Sequence, residues 1–431
     1  AFAVNNLDAA VQEFDEIDFK TAFNIGASVL VKLSEHEIIC DDSGVEIDGS
    51  IIRIITRGTY IFTGTVKGEQ IVVDTGSSDL VHIILNGVDI SHSACPIYVK
   101  KAGRVIITLA EASENILTSL SDHDPDSERP NAVIFSQNDL TINGTGKLIV
   151  DGNHRHGIIS RENLKIISGS LDVNAAADGI KGKMKVGVTG GDIAIICGND
   201  GVESSKGYVY IEKGSLDITS GGDGIQAETN AVIKGGNIRI RSSGGSPDVI
   251  AANTFARGPF NPRQQIVTIA EKSAKGIKVK VDVIIDGGEI KIDSLDDGLH
   301  SDDIITINSG NIWISTGDDG IHADNSFTAN GGNVEIVKSY EGIEAKTITF
   351  NAGIFRVVSV DDGINGTSQN NETANPWQMR QPMGGQQGAD LFINGGHVVV
   401  NADGDGIDVN GNVEMTGGCL IIYGPLTSFD A

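Results

Sequence analysis

A short phrase, an acidic residue followed by Gly and an aliphatic residue, returns along most of this chain and constrains its fold more than any other feature. Eight copies keep both the acid and the glycine: Asp178-Gly179-Ile180, Asp200-Gly201-Val202, Asp223-Gly224-Ile225, Asp297-Gly298-Leu299, Asp319-Gly320-Ile321, Glu341-Gly342-Ile343, Asp362-Gly363-Ile364 and Asp405-Gly406-Ile407. Two weaker copies lose the acid: His156-Gly157-Ile158 and Lys275-Gly276-Ile277. We call the first residue of each copy the marker residue and the second the marker glycine.

A second glycine follows each copy at a nearly fixed distance, and these glycines give the period. They are Gly169, Gly191, Gly214, Gly236, Gly288, Gly310, Gly332, Gly353, Gly396 and Gly418. The steps between them are 22, 23, 22, 52, 22, 22, 21, 43 and 22 residues. A period in this range is typical of a solenoid, in which each repeat buries its apolar face against its neighbours.

The side-chain pattern inside a repeat selects strands over helices. In Gly310-Asn311-Ile312-Trp313-Ile314 the apolar residues alternate, which is typical of a strand with one face inward. Gly, Asp and Asn separate such short runs and suit tight turns. The sequence therefore predicts an all-β protein, a right-handed parallel β-helix with coils of about 22 residues and about three faces.

Composition excludes one large class of partner and favours another. The 431 residues carry a formal net charge of −26, with 58 acidic and 32 basic residues. Nucleic acid is excluded as a probable ligand because phosphate binding needs a basic footprint. Repulsion of this size weakens a compact fold unless something neutralises it, so a divalent cation is expected.

The cysteines and the hydropathy pattern give weaker constraints. Four cysteines form no CxxC pair, which leaves zinc and redox motifs unsupported. Cys197 is expected to be a small buried residue, and a disulfide between Cys40 and Cys95 is a minor alternative. No apolar run approaches the roughly 18 residues of a membrane span. Ala1-Phe2-Ala3 resembles the small-residue end of a cleaved signal peptide, a hint of secretion.

The sequence divides into three predicted regions. Residues 1–28 lie outside the repeat and include a short helix predicted near Asn6. They are interpreted either as a cap over open strand edges or as a segment that docks on a neighbouring molecule. Residues 29–150 read as irregular early coils, and residues 151–431 as the regular β-helix. Two insertions, at about 241–274 and 367–388, are expected to emerge as loops, on the binding side or as plain surface.

The marker residues are the first candidate site, because coils about 4.8 Å apart would stack them into a ladder. Seven of the ten are Asp, and stacked carboxylates would have to hold protons or share a cation. Calcium binds six to eight oxygens and could bridge successive coils. A plain turn ladder is the alternative. The predicted calcium ligands are Asp178, Asp200, Asp223, Asp296, Asp297, Asp318, Asp319, Asp361, Asp362 and Asp405.

A second candidate site follows two and four residues after each marker glycine, where side chains are expected to point outward. These positions supply Lys181, Lys183, Lys278, Lys280, His300 and His322. They are interpreted either as a binding strip for an acidic polymer or as ordinary solvated surface. Trp313 is expected to face outward between Lys291 and Glu335, where it could stack on a sugar ring or be covered by a lysine stem.

The residues also resemble a known family, the carbohydrate-binding β-helix proteins of cellulolytic clostridia. The resemblance covers about residues 29–425 and rests on the repeated Asp-Gly-Ile phrase together with four early runs, Gly58-Thr59-Tyr60, Gly68 to Asp74, Leu85 to Val88 and Pro96 to Lys100. It implies a shape like that of pectate lyases, calcium binding, and binding of pectic acid and cellulose at the cell surface, with at most weak lyase activity. It implies that the Asp ladder holds calcium.

Three functions compete at this point. The favoured prediction is a secreted or cell-surface protein that binds acidic plant polysaccharide, pectic acid and possibly cellulose, in a calcium-dependent way. A structural subunit of an extracellular filament or matrix is the alternative, with self-association through the N-terminal segment or the coil ends. A calcium-dependent polysaccharide lyase is the third, with Lys181, Lys183, Lys278 or Lys280 as the base.

Overall fold

The alternation of apolar and polar residues produces short strands with one buried side, as in Asn311–Thr316, where Ile312 and Ile314 are buried. The computed structural model describes residues 14–120, 130–248, 273–367, 388–424 and 429–430. These ranges contain β-strands and one short 3-10 helix, Ile25–Ala27. The helix predicted near Asn6, and most of both insertions, lie outside the described residues. The chain divides into two units: residues 1–198 with 202–206, and residues 199–201 with 207–431.

Unit 1 is a parallel β-helix with three sheets, each collecting one strand from every coil. The first sheet contains Ile51–Ile54, Gln70–Asp74, Ile97–Lys101, Ala132–Ser136, His156–Ser160, Ile180–Gly182 and Val202–Ser204. The second contains Val29–Leu33, the first parts of Gly58–Lys67 and Leu80–His92, and then Arg104–Leu109, Asp139–Gly144, Asn163–Ile166 and Lys185–Val188. The third contains the later parts of those two long strands, and then Glu114–Ser119, Lys147–Gly152, Ser170–Ala175 and Asp192–Cys197.

Unit 2 has the same three-sheet plan. Its first sheet contains Ile225–Ala227, Ile277–Val279, Leu299–Ser301, Ile321–Ala329, Ile343–Phe350, Ile364–Gly366, Ile407–Val409 and Phe429–Asp430. The second contains Tyr208–Ile211, Ala231–Ile233, Asp282–Ile285, Ile304–Ile307, the ends of the two long strands, Asp390–Ile393 and Val413–Met415. The third contains Ser215–Ser220, Asn237–Ser242, Glu289–Ser294, Asn311–Thr316, Asn333–Lys338, Ile354–Ser359, His397–Ala402 and Cys419–Tyr423. The predicted parallel β-helix is confirmed, and its right-handed sense stays a prediction.

The two glycines of each repeat have different structural duties. The second glycines adopt positive φ angles, 110° at Gly310 for example, which favour a residue without a side chain. The marker glycines have no such angle. They allow two coils to approach closely: a Cβ atom on Gly320 would lie 2.6 Å from the carbonyl oxygen of Gly342 and 2.7 Å from Cδ1 of Ile336. The marker glycine is therefore a packing requirement.

The first coil of unit 1 contains two antiparallel pairings, within the region that was predicted as irregular early coils. Ile38–Ile39 pairs antiparallel with Val29–Leu33, and Val45–Asp48 pairs antiparallel with Ile51–Ile54. Each of these short strands covers the free edge of the first strand in a sheet. Exposed strand edges are templates for unwanted pairing, which gives these hairpins a protective role.

The segment from Phe14 to Phe23, which we call the N-terminal strap, lies across the second sheet of unit 1. Asp15 accepts two hydrogen bonds of 2.8 Å from Arg104, and the buried Asp18 accepts from Lys165 at 2.9 Å and from Thr141 at 2.7 Å. The three partners belong to three successive coils. The strap is thus docked by a buried charge. The predicted boundary of the N-terminal region at residue 28 stays a prediction.

An asparagine ladder, which the sequence analysis missed, ties the coils of unit 2 together. Each asparagine NH2, and the hydroxyl of the last rung, donates to the side-chain oxygen one coil earlier at 2.6 to 2.9 Å; the rungs are Asp286, Asn308, Asn330, Asn351, Asn394 and Thr416. Every rung stands two residues before a second glycine, the offset that could have revealed it. The polar turn is therefore internally hydrogen-bonded across the coils.

The cysteines are resolved as thiols. Cys40 and Cys95 are both free, so the disulfide considered between them is not formed. Cys95 is fully buried and donates to the carbonyl oxygen of Ile97 at 3.0 Å. Cys197 is buried, as expected. None of the described helical residues forms a helix long and apolar enough to cross a membrane.

Candidate functional site: a marker ladder, a histidine pair and a basic pocket

The marker carboxylates hold the turns of successive coils together. In unit 2 four of them accept the backbone N–H of the next marker residue: Asp200 from Asp223 at 2.9 Å, Asp223 from Lys275 at 2.8 Å, Asp297 from Asp319 at 3.2 Å and Asp362 from Asp405 at 2.8 Å. In unit 1 Nδ1 of His156 accepts from the N–H of Asp178 at 3.2 Å. The turn ladder is therefore present, and calcium binding by these residues stays a prediction.

Lysine side chains of the same chain form ion pairs with several of the marker carboxylates. Lys181 lies 2.9 Å from Asp178 and 2.5 Å from Glu203 in unit 1. In unit 2 Lys275 lies 2.6 Å from Asp297 and 2.9 Å from Asp296. Lys275 is one of the two markers that lack the acid, and its ammonium stands between two carboxylates that were predicted to share calcium. Burial opposes its charge, but these carboxylates outweigh burial and raise the pKa of Lys275.

His300 and His322 occupy the outward position of their strands, each between two buried neighbours, but their side chains lie against the ladder instead of extending into solvent. Their side chains are 14% and 12% exposed, and Nδ1 of each lies near the marker carboxylate of its own coil: 2.8 Å from Asp297 and 2.9 Å from Asp319. Glu344 on the next coil lies 3.1 Å from Nδ1 of His322. Attraction between imidazole and carboxylate draws these rings inward.

The charges of these histidines and carboxylates depend on one another because the groups are close together and largely buried. Burial disfavours the charge of His322, yet hydrogen bonds to Asp319 and Glu344 raise its pKa to about 11. Burial opposes the charge of Glu344 too, but the hydrogen bond from His322 lowers its pKa to about 2. Burial raises the pKa of Asp319, reinforced by nearby carboxylates, while His300 and Lys275 hold the pKa of Asp297 low against its burial.

Further along unit 2 the ladder continues with four carboxylates that we call the acidic corner: Glu341, Asp361, Asp362 and Asp405. Within the ranges the structure describes, none of these carboxylates pairs with Lys, Arg or His. Tyr340 donates to Asp361 at 2.6 Å, and Asn365 donates to Glu341 at 2.5 Å. Burial, reinforced by the neighbouring carboxylates, raises the pKa of Glu341 to about 7 and that of Asp362 to about 6.

These raised pKa values predict that the metal-free protein loses stability as pH rises. The folded state keeps protons on Glu341 and Asp362 to higher pH than the unfolded chain, whose reference values are 4.5 and 3.8. Their contribution is fully present below the unfolded pKa and is lost as pH rises through the folded pKa. Between pH 5 and 8 we expect ionisation of the corner to lower the free energy of unfolding by about 4 kcal/mol.

Denaturation at both pH values in chelator measures this loss, and the double variant Glu341→Gln with Asp362→Asn provides the comparison. The depressed pKa of His82, about 4 because of burial, acts in the opposite direction. Both proteins share this effect, so the comparison cancels it. The double variant should lose less stability than the parent between pH 5 and 8. Equal losses in the two proteins would refute the assignment.

A basic pocket lies in unit 1, beside the end of the first sheet. It has a volume of about 310 Å³ and is lined by Asn131, Phe135, His156, Ile159, Ser160, Arg161, Lys181, Lys183, Ser205 and Lys206. Arg161, Lys183 and Lys206 are exposed, and in the described part of the chain they form no ion pair. Three such cations are unexpected in a chain with a net charge of −26.

The pocket is built from successive coils over an apolar base. The backbone N–H of Lys183 donates to Ser160, and that of Lys206 donates to Lys183, so the cations stand at successive levels. Phe135 packs with Cys95, Ala132 and Ile159. The Arg161 guanidinium lies 5.6 Å from the centroid of the Phe135 ring. The cations are thus presented on a rigid base.

Of the cations that line this pocket, only Lys181 and Lys183 were predicted from the sequence to bind a polymer. Arg161 stands at the same offset after Gly157, a copy without the acid, and Lys206 is displaced one residue because its coil is 23 residues long. The other predicted lysines already have partners: Lys280 lies 2.9 Å from Glu228, and Lys278 lies 3.8 Å from Asp223.

Two further predictions concern Trp313 and the proposed base. Trp313 is half-buried, and its strand register places it between Lys291 and Glu335, as predicted. Stacking of its ring on a sugar stays a prediction. Burial lowers the basicity of Lys181, but Asp178 and Glu203 outweigh burial and raise its pKa. A lyase base needs a lowered pKa, so the environment of Lys181 does not favour that role.

Comparison with known proteins gives three similarities. Residues 48–320 match a family model described as carbohydrate-binding domain-containing protein. A protein of Acetivibrio thermocellus with the same description is 38% identical over 136 residues, which is 31% of this chain and 48% of the relative. The matched part thus spans about half of the relative's length. A solved polysaccharide lyase-like protein from C. thermocellum, a gadolinium derivative, is 32% identical, with a TM-score of 0.49 over 50% of this chain and 92% of that one.

Proposed function

The chain belongs to the carbohydrate-binding domain-containing protein family, and from this premise we propose that it binds acidic polysaccharide of the pectic acid type. The binding is calcium-dependent, and the polymer is recognised by its carboxylate groups. Cellulose, which has no carboxylates, is the weaker ligand in this proposal.

The observation that carries the proposal is the column of Arg161, Lys183 and Lys206 in the basic pocket. A neutral sugar does not require three cations without carboxylate partners, whereas a uronate chain brings one carboxylate with each residue. Successive coils space the cations by roughly 4.8 Å. Arg offers a bidentate fork to a carboxylate, and the lysines act as point charges. Ser205 and Asn131 add polar groups that can meet sugar hydroxyls.

The proposed calcium site is the acidic corner of unit 2. Asp361, Asp362 and Asp405 are among the predicted ligands, and Glu341 joins them there. An all-oxygen set of this kind suits calcium, whose remaining positions could be filled by a polymer carboxylate. The raised pKa values of Glu341 and Asp362 indicate carboxylates that lack a counter-ion. At the markers Asp178 and Asp297 lysine already occupies that role.

A secreted or cell-surface location belongs to the same proposal, since polysaccharide of this class lies outside the cell. Self-association into a filament is an alternative that we keep as a prediction. Its proposed contact includes the N-terminal segment, of which the strap is docked within unit 1.

The triple variant Arg161→Ala, Lys183→Ala, Lys206→Ala tests whether the three cations of the basic pocket bind the polymer. Each exposed ion pair contributes about 0.2 to 1 kcal/mol, so the loss of three should lower the affinity for oligogalacturonate about three- to a hundredfold. The effect should shrink as salt rises, because exposed charge pairs are screened. Calorimetric titration at low and high salt measures both quantities.

A matched control removes three exposed cations elsewhere, Lys213→Ala, Arg239→Ala and Lys280→Ala. Both variants lose the same formal charge, so general attraction changes equally. Only the pocket variant should lose the tight site. If the two variants weaken binding to the same extent, the pocket is not the binding site and the attraction is non-specific.

A further inference from the structure

A pair of stacked histidines marks the first sheet of unit 2. His300 and His322 are register partners on successive coils, their ring centroids are 4.9 Å apart and their planes differ by 21°. The same column continues with Glu344 on the next coil. Three potential metal ligands therefore occupy one position of the repeat in consecutive coils.

Each ring lies between two carboxylates, one buried and one more exposed. For His300, Nδ1 faces Asp297 on the inner side and Nε2 lies 3.1 Å from Asp302 on the outer side. For His322, Nδ1 faces Asp319 and Nε2 lies 3.2 Å from Asp324. The outer carboxylates are 46% and 40% exposed, whereas Asp297 and Asp319 are 4% and 9% exposed. This is the arrangement of metal-binding histidines, in which one nitrogen ligates and the other donates its proton to a carboxylate.

The inner ligand atoms form two groups of three that share His322, and each group is compact enough for one ion. The ligand atoms of Asp297, His300 and His322 are all within 4.8 Å of one another, and so are those of Asp319, His322 and Glu344. Metal–nitrogen and metal–oxygen distances of about 2.0 to 2.2 Å would require the ligand atoms to separate slightly from their present contacts. Side-chain rotations of this size need no change in the coils.

We propose that Nδ1 of His300 and Nδ1 of His322, together with a carboxylate oxygen of Asp297, form a site for a divalent first-row transition metal such as Zn²⁺. The two imidazole nitrogens distinguish this set from a calcium site, which is built from oxygen alone. Binding displaces any protons on the Nδ1 atoms into solvent. The ion joins two successive coils and is separate from the calcium proposed at the acidic corner.

The test is a calorimetric titration of the full, chelator-treated chain with Zn²⁺ in the presence of excess calcium. We expect one site that calcium does not compete for. The double variant His300→Ala with His322→Ala should bind Zn²⁺ about a hundredfold or more weakly. The control His397→Ala removes an exposed histidine of the same unit and should leave the affinity unchanged.

A gentler variant keeps the test valid if the double variant fails to fold. Asp302→Asn with Asp324→Asn leaves every proposed ligand in place and removes only the outer carboxylates. Loss of such outer partners typically costs ten- to a hundredfold in metal affinity. The proposal is overturned if Zn²⁺ finds no site, if calcium displaces it at similar concentration, or if this variant and the control bind it equally well.

Discussion

Replacement of Gly320 by alanine is expected to lower the free energy of unfolding of unit 2 by about 3 kcal/mol. The new Cβ would meet the carbonyl oxygen of Gly342 at 2.6 Å and Ile336 at 2.7 and 2.8 Å. The first of these is backbone of the next coil, so relief requires adjacent coils to separate. Because coils are held by parallel strand pairing on three sheets, such separation disrupts several ladders together.

Chemical denaturation measures this effect as a shift of the transition midpoint. Gly26→Ala is the control, since its Cβ would lie 3.5 Å from the nearest atom, Oδ1 of Asn24, an ordinary contact. The control should be within about 0.5 kcal/mol of the parent. A Gly320→Ala protein as stable as Gly26→Ala would contradict the packing role that the close contacts of Gly320 assign to the marker glycines.

Replacement of Asp18 by alanine is expected to cost about 3 to 5 kcal/mol in the docking of the N-terminal strap. Asp18 is fully buried, lies 2.9 Å from Lys165 and 3.6 Å from Arg104, and accepts from Thr141. Removing it leaves the buried Lys165 ammonium without this carboxylate. Hydrogen exchange should show the strap opening far more often, with the coils of unit 2 unchanged.

Asp15→Ala is the matched control for the strap. Asp15 pairs with the same Arg104 at 2.8 Å, but its side chain is 54% exposed. Exposed ion pairs contribute about 1 kcal/mol or less, so a small effect is expected. Adding Lys165→Met to Asp18→Ala should restore part of the docking, because the buried ammonium that Asp18 neutralises is then removed. Equal exchange in the two aspartate variants would contradict the buried-charge account.

The sequence was sufficient to predict the repeat because the marker phrase recurs in nearly every coil. It could not predict the strap, whose contacts join Asp18 to Lys165 across 147 positions. No local pattern encodes a contact that one segment makes with three coils. The asparagine ladder had a local signal, a fixed offset before glycine, that only the observed hydrogen bonds make meaningful.

The candidate sites were predictable in position but not in orientation. Strand alternation was expected to turn Lys181, His300 and His322 toward solvent, and alternation alone does not include the attraction of a neighbouring carboxylate. Lys183, two residues further along than Lys181, stands outside that attraction and stays exposed. Register also shifts where a coil is 23 residues long, which moved Lys206 out of the aligned column.

The most direct test of the central claim compares two polymers that differ only in their carboxylates. The protein is titrated calorimetrically with de-esterified homogalacturonan and with its fully methyl-esterified form, both with calcium. The account predicts that the de-esterified polymer binds and that methyl esterification or chelation of calcium abolishes most of the affinity. Equal binding of both forms, or binding that is indifferent to calcium, would contradict recognition through carboxylate groups.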